Sequence, residues 1–135
     1  MIAEIINKWD LNKNKLECFF KETNQDEYDD YTCIVKKIFE LVINDSEGIS
    51  YNLDNLTVID NGDYQGTLIF IIPEDTYQPD IDNYLVTNTY YGSCSGCDTL
   101  QGINVYGNEK PTDEQVKEYM TLSLHLIQKM KYLKD

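Results

Sequence analysis

The segment from Gly92 to Asp98 contains the residues whose types and spacing are best suited to chemistry, Gly92-Ser93-Cys94-Ser95-Gly96-Cys97-Asp98. Cys94 and Cys97 have the spacing of a dithiol–disulfide pair, so redox chemistry is one function open to the segment. The same two thiols supply half of a zinc site. The remaining ligands would have to come from Asp98, His125, Cys18 or Cys33. Because the chain has no second CxxC or CxxH motif, we expect no cofactor, with zinc as the alternative.

The same segment offers two further interpretations. Its glycines permit positive φ angles, and successive backbone N–H groups in such a turn can form an anion-binding nest for a phosphate or nucleotide. We expect Asp98 to begin a short helix as its N-cap, and a helix N-terminus would lower the pKa of a nearby thiol. The structural alternative is that small cysteines pack the floor of a tight strand-to-helix turn.

The other nucleophilic and titratable residues do not indicate catalysis. His125, the single histidine, shares a predicted helix face with the polar residues Glu118, Thr121 and Lys129, so we expect it to be solvated. Cys18 and Cys33 lie opposite the apolar stripes of their predicted helices. No Ser/His/Asp or Cys/His arrangement is supported by spacing. We therefore favour a binding protein over an enzyme.

Net charge narrows the possible partners. The chain has a formal net charge of −13, which disfavours both phosphate backbones and anionic lipid surfaces. We predict no direct nucleic-acid binding and no membrane attachment, whereas a basic protein would be attracted electrostatically. The first residues lack the pattern of a signal peptide, and four cysteines in a cytosolic protein do not indicate a disulfide framework. The predicted location is the cytoplasm of a bacterial host.

Helices are predicted at both ends of the chain, as one domain spanning residues 1–135. Apolar spacing from Ile2 to Phe20 predicts two short helices or one interrupted at Asn12-Lys13-Asn14. After the acidic stretch 26–30, a clean amphipathic helix runs to about Asn44. Thr112 and Gln115 have capping-box spacing and begin a last helix that runs to about Leu133.

The middle of the chain predicts a sheet of three or four antiparallel strands, and hence an α+β fold. Predicted strands run from Leu53 to Ile59, from Tyr64 to Ile72 and from Tyr84 to Tyr91. A tight turn at 60–63 joins the first two. The second strand is apolar on both faces, so we expect it to be central and covered on both sides. After Asp98 the sequence allows either a short helix through Leu100 and Gln101 or a fourth strand from Ile103 to Tyr106.

Tyrosine is abundant in the sheet region, and eleven are present in the whole chain. Half-buried sheet packing explains many of them. Several, however, flank acidic loops, a combination typical of protein-binding faces; Tyr64, Tyr77 and Tyr91 are the candidates.

Two segments, Gly62-Asp63-Tyr64-Gln65-Gly66 and Tyr91-Gly92-Ser93-Cys94-Ser95-Gly96-Cys97-Asp98, resemble those of a group of small phage and prophage proteins of uncharacterised function. That group shares a G-x-(Y/W)-Q-G segment before one strand and a Y-G-S-C-S-G-C-D segment after the next. The resemblance covers about residues 55 to 103. It implies an origin in a mobile element but no catalytic residue, and it points to a shared site that includes Gln65 and extends to Gln101.

Together these observations predict an acidic phage-type accessory protein that binds and inhibits a basic, nucleic-acid-handling host protein such as a defence nuclease. The predicted binding residues are Tyr64, Gln65, Tyr77, Tyr91, Ser93, Cys94, Ser95, Gly96, Cys97, Asp98 and Gln101. The rival interpretation is a metal-, redox- or small-ligand-binding protein that uses Cys94 and Cys97. A further alternative is an immunity protein that neutralises a basic toxin. The oligomeric state stays open.

Overall fold

A computed structural model describes residues 2–45, 48, 50–94, 97–104 and 109–133. It confirms the predicted α+β class, with helices before and after a four-stranded antiparallel sheet whose order is β1-β2-β3-β4. None of the helices in these ranges combines the length and apolarity that crossing a bilayer requires.

The N-terminal helix α1 is continuous over Ile2–Glu22. The polar residues that suggested an interruption are accommodated because two α1 side chains bind the end of a neighbouring helix. Asn12 Nδ2 donates to the carbonyl of Val42 at 3.0 Å, and Lys8 Nζ donates to that of Ile43 at 2.8 Å. These carbonyls have no partner within their own helix, so α1 satisfies them.

Helix α2 (Tyr31–Ile38) follows the acidic stretch and continues as a π-helical turn, Phe39–Ile43. Asp30 is its N-cap, since its carboxylate accepts a hydrogen bond from Cys33 N at 2.7 Å. The acidic residues before it form a 3₁₀ turn, Gln25–Tyr28. The predicted end near Asn44 is confirmed.

The first three strands form a meander of β1 (Thr57–Gly62), β2 (Gly66–Ile72) and β3 (Leu85–Tyr91). The predicted turn at 60–63 lies too early, because β1 extends to Gly62 and the loop is formed by residues 63–65. Gly62 pairs with Gly66, and a Cβ on either would lie within 2.4 Å of a backbone oxygen. The turn forms where both strands lack side chains.

Strand β2 is central, as predicted, but it is not covered equally on both faces. Phe70 and Ile72 are fully buried in the core cluster that the helices share. Ile69 and Ile71 point to the opposite face, are only half-buried and do not belong to that cluster. The expectation of two covered faces was therefore wrong, since the described helices supply apolar contacts to one side of the strand.

The C-terminal part contains α3 (Thr99–Ile103), α4 (Asp113–Gln128) and β4 (Lys131–Tyr132). The capping box between Thr112 and Gln115 is confirmed by both of its hydrogen bonds. The last helix ends at Gln128, earlier than predicted, because the chain turns to pair β4 with the start of β3. Residues 99–103 are helical, and Tyr106, named in the strand alternative, lies outside the described residues.

Aromatic rings hold the two long helices together. Phe20 of α1 stacks on Tyr119 of α4 with ring centroids 5.2 Å apart, and Tyr28 packs edge-on to both. The buried hydroxyls are paired, since Tyr28 donates to the carbonyl of Phe20 and Tyr119 donates to Gln25 Oε1. This cluster fixes the helical layer behind the sheet.

Candidate functional site

The meander brings the two segments of the phage-type resemblance side by side. Gly66, at the end of the first segment, pairs with Tyr91, at the start of the second. Tyr90 donates a hydrogen bond to Gln65 Oε1 at 3.3 Å, and Tyr91 donates to Asp60 Oδ1 at 2.5 Å. The predicted proximity of the segments is confirmed.

Asp98 connects the second segment to the helical layer. Its carboxylate is 5% exposed and accepts four hydrogen bonds. Oδ1 accepts from the Tyr31 hydroxyl at 2.5 Å and from the backbone N–H groups of Leu100 and Gln101. Oδ2 accepts from Gly92 N at 3.3 Å. Asp98 therefore caps α3, as predicted, and also ties the end of β3 to α2.

This arrangement argues against the predicted phosphate nest. The N–H groups of Gly92, Leu100 and Gln101 all donate to Asp98. The N–H groups of Cys97 and Asp98 donate to the carbonyl of Cys94 at 2.9 and 2.8 Å. Because these donors are already occupied, the described part of the loop holds the chain's own carboxylate where an anion would bind.

A cleft of about 350 Å³ opens beside this carboxylate. Four carboxylates line it, from Asp29 and Asp30 before α2, Asp60 on β1, and Asp98. Its walls include the rings of Tyr31 and Tyr91, and Gln101 lies at its margin. We call this feature the acidic cleft. Its composition suits a cationic group that contacts both carboxylates and aromatic faces.

The two tyrosines of the acidic cleft, Tyr31 and Tyr91, have raised pKa values, and its carboxylates contribute to both shifts. The pKa of Tyr91 is raised to about 12, first by its hydrogen bond to Asp60 and further by desolvation and the charges of Asp60 and Asp63. Burial and the hydrogen bond to Asp98 raise the pKa of Tyr31 well above its ordinary value. Both hydroxyls therefore remain neutral donors to carboxylates at physiological pH.

Gly92 is required here because of space, not because of a positive φ as the sequence suggested, since no described glycine has one. A Cβ at this position would lie 2.4 Å from both the carbonyl carbon and the oxygen of Cys97. We expect Gly92→Ala to displace the turn and lower the free energy of unfolding by about 2 kcal/mol. Urea unfolding measures the change.

Gly48→Ala is the matched control, because its Cβ would meet nothing closer than the Cβ of Asp45 at 3.6 Å. It should leave the urea midpoint close to that of the parent protein. Equal midpoints for the Gly92 and Gly48 variants would show that the turn tolerates displacement, against our reading.

The two thiols of the segment lie close together on the surface. Cys94 Sγ and Cys97 Sγ are 3.2 Å apart, and both residues are exposed. The predicted lowering of the thiol pKa was wrong for Cys97, whose pKa is raised by its hydrogen bond with Cys94 and by the charge of that neighbour. The following helix, α3, has only five residues, so its dipole is small.

Metal ligands do not assemble around these thiols. Across the described ranges, no group of three or more His, Cys, Asp and Glu side chains could hold a metal ion. His125 lies with Cys97 in a groove of about 590 Å³ between α3 and α4, and it is exposed as predicted. Cys18 on α1 is also exposed, whereas Cys33 on α2 is half-buried.

The remaining predicted site residues fall into two groups. Tyr64 lies at the tip of the β1–β2 hairpin with 85% of its surface exposed, and Ser93 is exposed beside Cys94. Tyr77 is 95% exposed but lies in the loop between β2 and β3, at the opposite end of the sheet. The structure therefore does not bring Tyr77 together with the other predicted binding residues. Ser95 and Gly96 lie outside the described residues.

Sequence reasoning missed Tyr31 and Asp60 as members of the site. Tyr31 begins the apolar stripe of α2, so its spacing indicated the core alone, and its ring is indeed buried. Its partner Asp98 is 67 residues away in the chain. Asp60 had a usable signal, because it lies in an acidic loop next to the first motif segment.

Comparisons with protein-family models, with curated proteins and with solved structures found no match. Function is therefore inferred from the residues of this chain and from their geometry.

Proposed function

We propose that this chain is a phage-type accessory protein that binds and inhibits a basic, nucleic-acid-handling host protein in the bacterial cytoplasm. One observation carries the proposal: the hairpin end of the sheet gathers tyrosines and carboxylates in the acidic cleft and next to it. We call this region the acidic–tyrosine surface. It consists of the cleft residues Asp29, Asp30, Asp60 and Tyr91, of Asp63 and Tyr64 in the β1–β2 loop, and of Tyr90, which lies at the same end of the sheet but on the face opposite Tyr91.

The charge of this surface supports a cationic partner. Two ion pairs occur within the described ranges, Lys21–Glu17 and Lys37–Glu40, and neither includes a carboxylate of the surface. The net charge of the whole chain is −13, so a basic protein would be attracted to this surface. The distance over which the attraction acts becomes shorter as the ionic strength rises.

The tyrosines support binding by contact as well as by charge. Tyr64 presents most of its ring to solvent at the hairpin tip, and Tyr90 is 52% exposed on the neighbouring strand. Tyrosine supplies a large contact area with little loss of side-chain entropy and is enriched at interaction hot spots. An arginine of the partner entering the acidic cleft would meet carboxylates and aromatic faces together.

Binding is expected to inhibit the partner because the proposed partner has to bind nucleic acid. A protein that handles nucleic acid uses lysine and arginine side chains to contact phosphates. Carboxylates that occupy those side chains compete with the phosphates. The expected mode of inhibition is therefore competitive with nucleic acid and weakens as salt is raised.

The test compares two variants that lose the same charge at different places. The surface variant carries Asp29→Asn, Asp60→Asn and Asp63→Asn. The control carries Asp10→Asn, Glu22→Gln and Glu114→Gln, all exposed residues away from the hairpin. Each is used to capture proteins from a bacterial host lysate, and the captured protein is then purified and its affinity measured by titration.

We expect the surface variant to lose about tenfold or more in affinity, and the control to stay within about threefold of the parent chain. Adding Tyr64→Ala should weaken the surface variant further. Nucleic acid should displace the parent chain from the partner. Equal losses in both variants, or a captured partner that is not basic and is not displaced by nucleic acid, would contradict the proposal.

A further inference from the structure

The thiol pair of Cys94 and Cys97 has a geometry that the proposed binding function does not use. The two sulfur atoms are 3.2 Å apart, and a disulfide bond is about 2 Å long, so closure needs a movement of about 1 Å. Both residues are exposed, so no packed neighbour has to be displaced from around the two side chains.

The backbone already holds the two residues in one tight turn. The carbonyl of Cys94 accepts hydrogen bonds from both Cys97 N and Asp98 N. Gly92 packs against the backbone of Cys97 so closely that no side chain fits between them. The buried carboxylate of Asp98 anchors the end of the turn to Gly92 and to α3. These contacts hold Cys97 near Cys94, and both residues are exposed.

The other two thiols have different surroundings. Cys18 is exposed on α1, and Cys33 is half-buried on α2, where burial and a hydrogen bond with Asp30 raise its pKa. The thiol–thiol contact found in the described residues is that of Cys94 with Cys97. Chemistry at the pair can therefore be separated from chemistry at the other cysteines by substitution.

We propose that Cys94 and Cys97 are a reversible dithiol–disulfide pair that exchanges with small-molecule disulfides. One thiol of the pair, as its thiolate, attacks the small disulfide and forms a mixed disulfide, and one small thiolate leaves. The second thiol loses its proton and attacks the mixed disulfide, which releases the other small thiolate. The pair loses two electrons and two protons, and the small disulfide is reduced to two thiols.

Closing the bond would clamp the turn between β3 and α3. This turn carries Asp98, whose carboxylate is part of the acidic cleft. The disulfide form therefore holds that edge of the cleft more rigidly than the dithiol form. A short loop closed by a disulfide is expected to raise the melting temperature by about 5 °C.

The test uses Cys18→Ser/Cys33→Ser, which retains only the pair, and oxidised glutathione as the disulfide at about pH 8, where thiolates form more readily. Intact mass spectrometry should show the loss of two hydrogen atoms from the monomer, with no bound glutathione. Dithiothreitol should restore both the mass and the original melting temperature.

The matched variant adds Cys94→Ser to the same background. It lacks the second thiol, so glutathione should remain attached to Cys97 as a stable mixed disulfide. Glutathione that remains attached when both thiols are present, a disulfide-linked dimer, or two unreacted thiols would each overturn the proposal. All three outcomes are measured on Cys18→Ser/Cys33→Ser itself. The test therefore does not depend on whether the variant with Cys94→Ser folds.

Discussion

Replacing Asp98 by alanine is expected to lower the free energy of unfolding by about 3–5 kcal/mol, because four donors lose a hydrogen bond to its carboxylate and Leu100 N alone among them keeps another acceptor, the Tyr31 hydroxyl at 3.2 Å. The donors are the Tyr31 hydroxyl and the N–H groups of Gly92, Leu100 and Gln101. Asp98 is 5% exposed, so its carboxylate and these donors are largely shielded from water in the parent protein. Urea unfolding followed by tryptophan fluorescence measures the loss.

Two further variants separate the hydrogen bonds from the charge. Asp98→Asn keeps an acceptor for Tyr31 but places an amide donor opposite Gly92 N, so a loss of about 1–2 kcal/mol is expected. Asp29→Ala removes an exposed carboxylate from the same cleft and should not change the urea midpoint measurably. If alanine at 98 were as stable as the parent, the role of Asp98 as a connection between β3 and α2 would be wrong.

One part of the role of Asp98 could be predicted from the sequence, and the other part could not. The N-cap role of Asp98 was predictable, because capping depends on a residue and the few that follow it. Its bond to Tyr31 was not predictable, since that contact depends on how α2 packs against the sheet. Local rules thus place Asp98 at a helix start, whereas packing makes it the centre of the site.

The strands also differ in whether the local sequence or long-range pairing determines them. Three strands are present in the predicted order, which allowed the two motif segments to be placed together. The first begins at Thr57 and not at Leu53 as predicted, because Leu53–Asn55 forms a 3₁₀ turn capped by Asn52. Strand β4 was missed because two residues carry no alternating pattern, and only pairing with Leu85 and Val86 defines it. The distance of Tyr77 from the other predicted binding residues was not predictable from its residue type and the acidic loop around it, because it depends on the end of the sheet at which its loop lies.

The exposed and buried tyrosines have separate physical roles. Tyr64 and Tyr90 present their rings to solvent at the acidic–tyrosine surface. Tyr28, Tyr31, Tyr51 and Tyr119 are at least nine-tenths buried. One residue type therefore supplies both the proposed contact surface and part of the core. The buried set has a further consequence, because burial raises the pKa of each of its hydroxyls.

The free energy of unfolding is expected to fall steeply above pH 10 because of the four buried tyrosines. Burial raises the pKa of all four hydroxyls above the ordinary tyrosine value. Above about pH 10 the unfolded chain releases these protons while the folded chain keeps them. The unfolded state then binds fewer protons, so stability declines as pH rises and is fully present below pH 10. Each tyrosine contributes up to about 1.4 kcal/mol per pH unit.

Four such tyrosines together give a decline of about 5 kcal/mol per pH unit, against a typical total stability of 5–15 kcal/mol. We therefore expect cooperative unfolding between about pH 11 and 12, measured by circular dichroism together with tyrosinate absorbance. Tyr51→Phe removes one ionising hydroxyl while keeping the ring that packs on Phe39 with centroids 5.4 Å apart. It should make the decline about a quarter shallower, whereas Tyr64→Phe should leave it unchanged, because the Tyr64 hydroxyl is exposed before and after unfolding. Tyrosinate absorbance that rises gradually around pH 10, with no accompanying loss of helix signal, would mean that these hydroxyls are not held neutral by the core.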